Sequence, residues 1–144
     1  MLQRHNANRW EHQVGGLTTN YYLEHLAQIC ANYYASIDQI DHSCPEARGY
    51  GENLSWSWDS RGSPDDPSAV ATAYDSWFSE GDDYNYYTGK SYGGVVGHFT
   101  QILWRESQEL GCATSQNTWQ QSTVVVCLYN PPGNYIGQET QNVF

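Results

Sequence analysis

The 144-residue sequence predicts a mixed α and β domain, on three observations. One is a long apolar pattern at helical spacing early in the chain, and another is a second such pattern that opens on Asp66-Pro67. The third is the β-branched run STVVVCLY at Ser122–Tyr129. Helices come first and strands later, so this is an α+β chain rather than alternating βαβ units. The length fits one domain, 1–144, with no Pro/Gly/Ser linker, internal repeat or low-complexity segment to divide it.

His5 and His12 are seven residues apart, a spacing that shares a face of any helix by geometry alone; neither is assigned chemistry. From Thr18 to Ile37, Leu23, Leu26, Ala27, Cys30, Tyr34 and Ile37 recur with the helical period, and Thr18, Thr19 or Asn20 supplies the cap. That helix buries Cys30 and turns His25 to its polar side. WSWDSRGSPDDPS reads as an exposed loop. The next helix is expected to start with Asp66 as cap and Pro67 at its first position, and to bury Ala69, Val70, Ala73, Tyr74 and Trp77. It frays near Gly81. Glu80 then sits in the last turn, where the helix dipole disfavours a carboxylate, so either solvent hides the cost or a neighbour wants the charge. HFTQILW is too short and apolar to separate strand from helix. Leu110–Thr114 and Ser122–Tyr129 read as antiparallel strands that set Cys112 opposite Cys127, joined by a polar loop.

Sixteen acidic against six basic side chains give a formal charge of −10 with no basic cluster. That excludes nucleic acid and anionic membrane surfaces as partners, because both demand a cationic patch. No apolar run reaches the length of a transmembrane segment. Four cysteines with twelve tyrosines and six tryptophans suit a secreted, extracellular protein, and cysteine parity suits two disulfides. MLQRHNANR lacks the apolar core of a signal peptide, so the signal peptide is expected to be absent from this chain.

Several segments together resemble the CAP superfamily, which comprises cysteine-rich secretory proteins, antigen five and pathogenesis-related group-one proteins and is also called the SCP/TAPS domain. They are GHFTQILWRES followed by GCA, VVVCLYNPPGNYIGQ, GYGENLSW, the segment from His42 to Glu52, and RHNANRWEHQVGGLT, which resembles the family's opening helix. The resemblance implies a three-layer α-β-α sandwich around a central, three-stranded antiparallel sheet. It implies a cleft tetrad of His42, Glu52, Glu80 and His98, which would explain a carboxylate at a helix end. It also implies that Cys112 and Cys127 form the family's most widespread disulfide, with Cys30 and Cys44 as the second pair, a departure from the six-cysteine plant members. Each bridge closes a loop of about 15 residues, worth roughly 3 kcal/mol in the chain-entropy model.

Histidines beside carboxylates support general acid/base catalysis, divalent metal binding or an ordering hydrogen-bond network. Neighbouring glutamates are expected to raise each histidine's pKa. Two imidazoles and one or two carboxylates suit zinc or another divalent cation, with His42 and His98 as the metal ligands. No GxSxG elbow or HExxH helix supplies a nucleophile or a protease site, and Ser43 next to His42 is a nonspecific pairing. Asn53-Leu54-Ser55 matches a glycosylation sequon within GENL, where occupancy is not expected. YNYYTGKSYGGVVG presents Tyr84, Tyr86, Tyr87 and Tyr92 among glycines: a ligand-binding rim for lipid, sterol, sugar or protein, or else a structural loop on the sheet. The resemblance links the corresponding loop in fungal members to sterol binding, although this sequence departs from the caveolin-like pattern of that activity. The leading expectation is a secreted domain that binds a sterol or other lipid and can hold a divalent cation. The alternatives are a metal-assisted hydrolase with Glu52 or Glu80 as base, and an effector acting on a protein receptor.

Overall fold

The computed structural model describes residues 1–144. Its helices are α1 (Leu2–Glu11), α2 (Tyr21–Ile37), α3 (Asp66–Ser79), α4 (Gly97–Leu103) and α5 (Glu139–Asn142). Its strands are β1 (Thr18–Thr19), β2 (Gly51–Trp58), β3 (Tyr84–Asn85), β4 (Lys90–Ser91), β5 (Glu109–Asn117) and β6 (Ser122–Asn130). The main sheet has the order β1-β5-β6-β2; β6 pairs antiparallel with both neighbours, and β1 adds a parallel edge. The expected antiparallel sheet therefore carries one further, two-residue strand. β3 and β4 form a separate hairpin.

β6 is apolar without alternation because both of its faces are covered. Val124, Val126 and Leu128 pack with Leu23, Ala27, Cys30 and Tyr34 of α2. Val125, Cys127 and Tyr129 pack with Ala73, Tyr74 and Trp77 of α3 and with Phe99, Ile102 and Leu103 of α4. A period of two thus divides one strand between two cores, which makes the molecule a three-layer α-β-α sandwich. No helix is long and apolar enough to cross a membrane.

Both disulfides form, Cys30–Cys44 and Cys112–Cys127, the latter between residues in direct register on β5 and β6. Replacing Cys30 and Cys44 together by serine is expected to lower the unfolding free energy by about 3 kcal/mol in a urea titration without reductant. It also releases the segment that carries His42.

The structure corrects some local expectations and decides others. The cap of α3 is Asp65, whose side chain accepts from the Ser68 N–H at 2.8 Å, so Pro67 stands second in the helix. Asn20 caps α2 through the Leu23 N–H, while Thr18 and Thr19 form β1. WSW belongs to β2, and the loop starts only at Asp59. HFTQILW is helical. Asn53 is buried and its side-chain nitrogen donates to two partners, so the sequon cannot carry a glycan in the folded protein.

Helix α1 docks through polar groups. Buried Arg9 donates to the carbonyls of Gly15, Ile102, Trp104 and Ser107 at 2.7–3.0 Å. Two of those carbonyls lie at the C-terminal end of α4, where a helix leaves its acceptors unpaired and favours a cation. His5 is also buried, between the Met1 carbonyl and the Tyr129 hydroxyl.

Candidate functional site

The structure resolves the four expected cleft residues into two pairs. His42 lies on the segment between α2 and β2 with φ at 60°, and its Nδ1 meets Glu52 Oε1 at 2.7 Å. Glu52 is the second residue of β2, and on the α2 face its carboxylate accepts from the Tyr34 hydroxyl at 3.0 and 3.2 Å. Tyr34 Oη in turn accepts from the Cys44 N–H at 3.0 Å. The Cys30–Cys44 bridge, the tyrosine and the glutamate are therefore one connected support for His42. The hydrogen bond that His42 donates to Glu52 raises its pKa, with the carboxylate's charge adding to it against partial burial. Burial and the adjacent Glu52 raise that of Tyr34, which stays a neutral donor. A cleft of about 260 Å³ opens beside the pair, lined by His42, Ala47, Arg48, Tyr50 and Glu52 among others.

The second pair is held more tightly. His98 is the second residue of α4, and its Nδ1 meets Glu80 Oε1 at 2.6 Å. Glu80 Oε2 accepts from the backbone N–H groups of His98 and Phe99 at 3.0 and 3.1 Å. Glu80 caps α3 at its C-terminal end, the position disfavoured on sequence grounds, and the beneficiary is the start of α4. The His98 ring also stacks on Trp77, 6.0 Å between centroids and 14° between planes. Side-chain exposure separates the two imidazoles: 59% for His42 against 28% for His98.

The pairs stay distinct. No three of the four residues offer ligand atoms within 4.8 Å of one another; the group that does, Cys30, Cys44 and Glu46, has both sulfurs in a disulfide and no thiolate to give. The donor set still fits a divalent cation. In each pair the Nδ1–H donates to the carboxylate and leaves the Nε2 lone pair free, the arrangement that orients a metal-binding histidine. Neither imidazole touches a hydroxyl or a thiol; the Ser43 hydroxyl pairs with Tyr33 instead.

The predicted tyrosine rim divides. Tyr84 is buried against Phe99 and Tyr86 in the core and is not on the surface, whereas Tyr86, Tyr87 and Tyr92 are exposed, Tyr87 at 95%. His12, on the exposed end of α1, stacks on Tyr86, and His25 is exposed as expected. A larger cleft of about 590 Å³ lies against α1, lined by Asn6, Trp10, Gln13, Val14, Gly15 and Gly16; it includes neither pair. Sequence reasoning missed Tyr34 and Asn53 as site residues. Tyr34 sits on an apolar helix stripe and reads as core, and Asn53 reads only as part of a sequon.

Comparison with known proteins agrees with this fold. Residues 2–129 match the family model described as "CAP: Cysteine-rich secretory protein family". The chain is 38% identical over 139 residues to pathogenesis-related protein 1 of Arabidopsis thaliana, covering 96% of this chain and 78% of that protein. It is 37% identical over 139 residues to the basic form of pathogenesis-related protein 1 of Nicotiana tabacum, at coverages of 95% and 71%. Among solved structures, that of NaASP2 with Zn2+ matches at a TM-score of 0.73 and 29% identity, covering 94% of this chain and 80% of that one. Fold, disulfides and sequence similarity along nearly the whole chain lead to one conclusion: this protein belongs to the CAP, or cysteine-rich secretory protein, family.

Proposed function

We propose that this chain is a secreted binding module whose His/Glu cleft takes up a divalent cation, zinc foremost, through Nε2 of His42 and of His98. The carrying observation is the paired geometry: each Nδ1 is pinned by a glutamate, and each Nε2 is left free. When bound, the cation supplies a Lewis-acidic anchor for an anionic or carbonyl-bearing ligand group. The chain's own share is orientation: Glu80 and Glu52 hold the two rings, and the disulfide with Tyr34 holds Glu52. Two disulfides and the absence of a free thiol favour an oxidising, extracellular setting. NaASP2, which shares the fold, has been solved with Zn2+.

Equilibrium zinc titration tests this reading. The intact protein is expected to bind one zinc ion, and both His42→Ala and His98→Ala to abolish uptake; stoichiometric binding that survives both changes would refute it. Glu80→Gln is expected to weaken uptake by about 10-fold, because the amide cannot accept at both of its ends and the His98 ring loses its orientation. Titration calorimetry checks that value.

Binding is favoured over hydrolysis because both carboxylates are already engaged in holding the histidines, and no nucleophile faces either ring. A second reading, binding of a sterol or other lipid, rests on the exposed row of Tyr86, Tyr87 and Tyr92 with Val95. Saturable binding of a labelled sterol or fatty acid, lost in a Tyr86→Ala/Tyr87→Ala variant, supports it. Absence of saturable binding by either lipid removes it. Capture of a specific receptor by the metal-free, lipid-free protein would point instead to an effector role.

A further inference from the structure

His98 is gripped by its main chain as well as by its ring. Glu80 takes its N–H, and the Asn53 side chain donates to its carbonyl at 3.1 Å. A carbonyl only accepts, so Asn53 must present its nitrogen there. The second hydrogen of that nitrogen goes to the Tyr129 hydroxyl at 3.2 Å. Tyr129, already an acceptor, then gives its own proton to His5 Nε2 at 2.7 Å, and His5 Nδ1–H donates to the Met1 carbonyl at 3.0 Å. Every donor in this buried row has one acceptor, and the directions are mutually consistent. The row runs from α1 through β6 and β2 to the first turn of α4. From the neighbouring position of β2, the Leu54 carbonyl accepts from Trp77 Nε1 at 2.9 Å and so fixes the indole on which the His98 ring stacks.

His42 is supported only at its ring, through Glu52. Its backbone is in the left-handed region, its ring is mostly exposed, and its side chain has one partner. Of the two imidazoles, His98 is the preformed one.

We infer that Asn53, oriented by Tyr129 and through it by His5, is a positioning residue that fixes His98 against Glu80 by clamping its backbone carbonyl. This deepens the cation-binding reading and rests on it for its functional meaning, although the clamp can be tested apart from it. The clamp acts on the turn that directs Nδ1 at Glu80, so its loss lets the ring rotate and mixes the two neutral tautomers.

The test combines ring ¹⁵N chemical shifts of His98 at neutral pH with zinc titration, on Asn53→Ala, Tyr129→Phe and Val126→Ala. Val126 lies in the core on the α2 side of the sheet and serves as a destabilised control with the clamp intact. Wild type and Val126→Ala should show the Nδ1–H tautomer of His98. Asn53→Ala should shift toward a tautomer mixture and lose about 10-fold in zinc affinity, in the range known for residues behind a metal ligand. Tyr129→Phe keeps the ring's packing and should move both readouts the same way by less. His98 shifts unchanged in both clamp variants, or moved equally by Val126→Ala, overturn the positioning role. If wild type takes up no zinc, the cation reading fails while the ¹⁵N shifts still decide the clamp.

Discussion

Arg9→Met should destabilise this protein by about 4 kcal/mol, the largest effect expected of any single side chain outside the disulfides. The substitution keeps the length of the side chain and removes four donated hydrogen bonds to Gly15, Ile102, Trp104 and Ser107. A buried acceptor left without a partner costs roughly 1–3 kcal/mol, and relief from burying a cation returns part of the sum. Burial lowers the Arg9 pKa to about 10, so the group is still charged at neutral pH. It has no carboxylate partner; its counter-charge is the set of carbonyls around the end of α4. Urea unfolding would measure the loss. Arg9→Lys should recover only part of it, because an ammonium cannot span the fork of acceptors. A loss below about 1 kcal/mol for Arg9→Met would show that α1 docks by some other means.

The second large effect is acid sensitivity traceable to His5. Burial, the foremost cause, lowers its pKa to about 4 from an ordinary 6.5, against a smaller raising effect of the Met1 carbonyl. Between those values the unfolded chain binds a proton that the native state refuses. The contribution of this site is therefore fully present above pH 6.5 and is lost as the pH falls through the interval. The cumulative loss is about 3 kcal/mol by pH 4. Carboxylates titrate in the lower part of the same range, so the measurement is a difference: stability against pH for the native sequence minus that for His5→Gln. The difference curve should fall between pH 6.5 and 4 and be flat above 7. His42 has the opposite sign, since its raised pKa adds stability in acid that is lost as the pH rises through its native value; its exposure keeps that term small. A flat difference curve would mean that His5 is charged or hydrated in the native state.

The sequence made some elements legible for a clear physical reason. α2 and α3 bury apolar stripes at helical spacing, and β6 is apolar on both faces because it lies between two helical layers. β2 was not legible. GENLSWSW opens with three weak strand formers and becomes a strand because β6 provides eight residues in register to pair with. α1 is a helix as expected, but its docking was not legible: the residues that dock it, His5 and Arg9, are four apart and share a face, yet they are polar, and apolar periodicity is blind to them. In the site, Glu80 announced itself as a carboxylate at the wrong end of a helix. Its purpose became visible only when α4 was brought against it in space. The resemblance named His42, Glu52, Glu80 and His98 together, but their division into two pairs, one fixed and one exposed, depends on long-range contacts that no local pattern encodes. Tyr84, expected on the rim, is drawn into the core by Phe99.

In the proposed site, the paired geometry of His42–Glu52 and His98–Glu80 serves to present two Nε2 atoms to one divalent cation. A crystal soaked in zinc and measured with anomalous scattering at the zinc edge tests it most directly. The expected result is one anomalous peak in the cleft within about 2.0–2.1 Å of Nε2 of both histidines, with Glu52 and Glu80 still on the Nδ1 atoms. A cleft without an anomalous peak, or zinc held there by the glutamates with the imidazoles turned away, would contradict it.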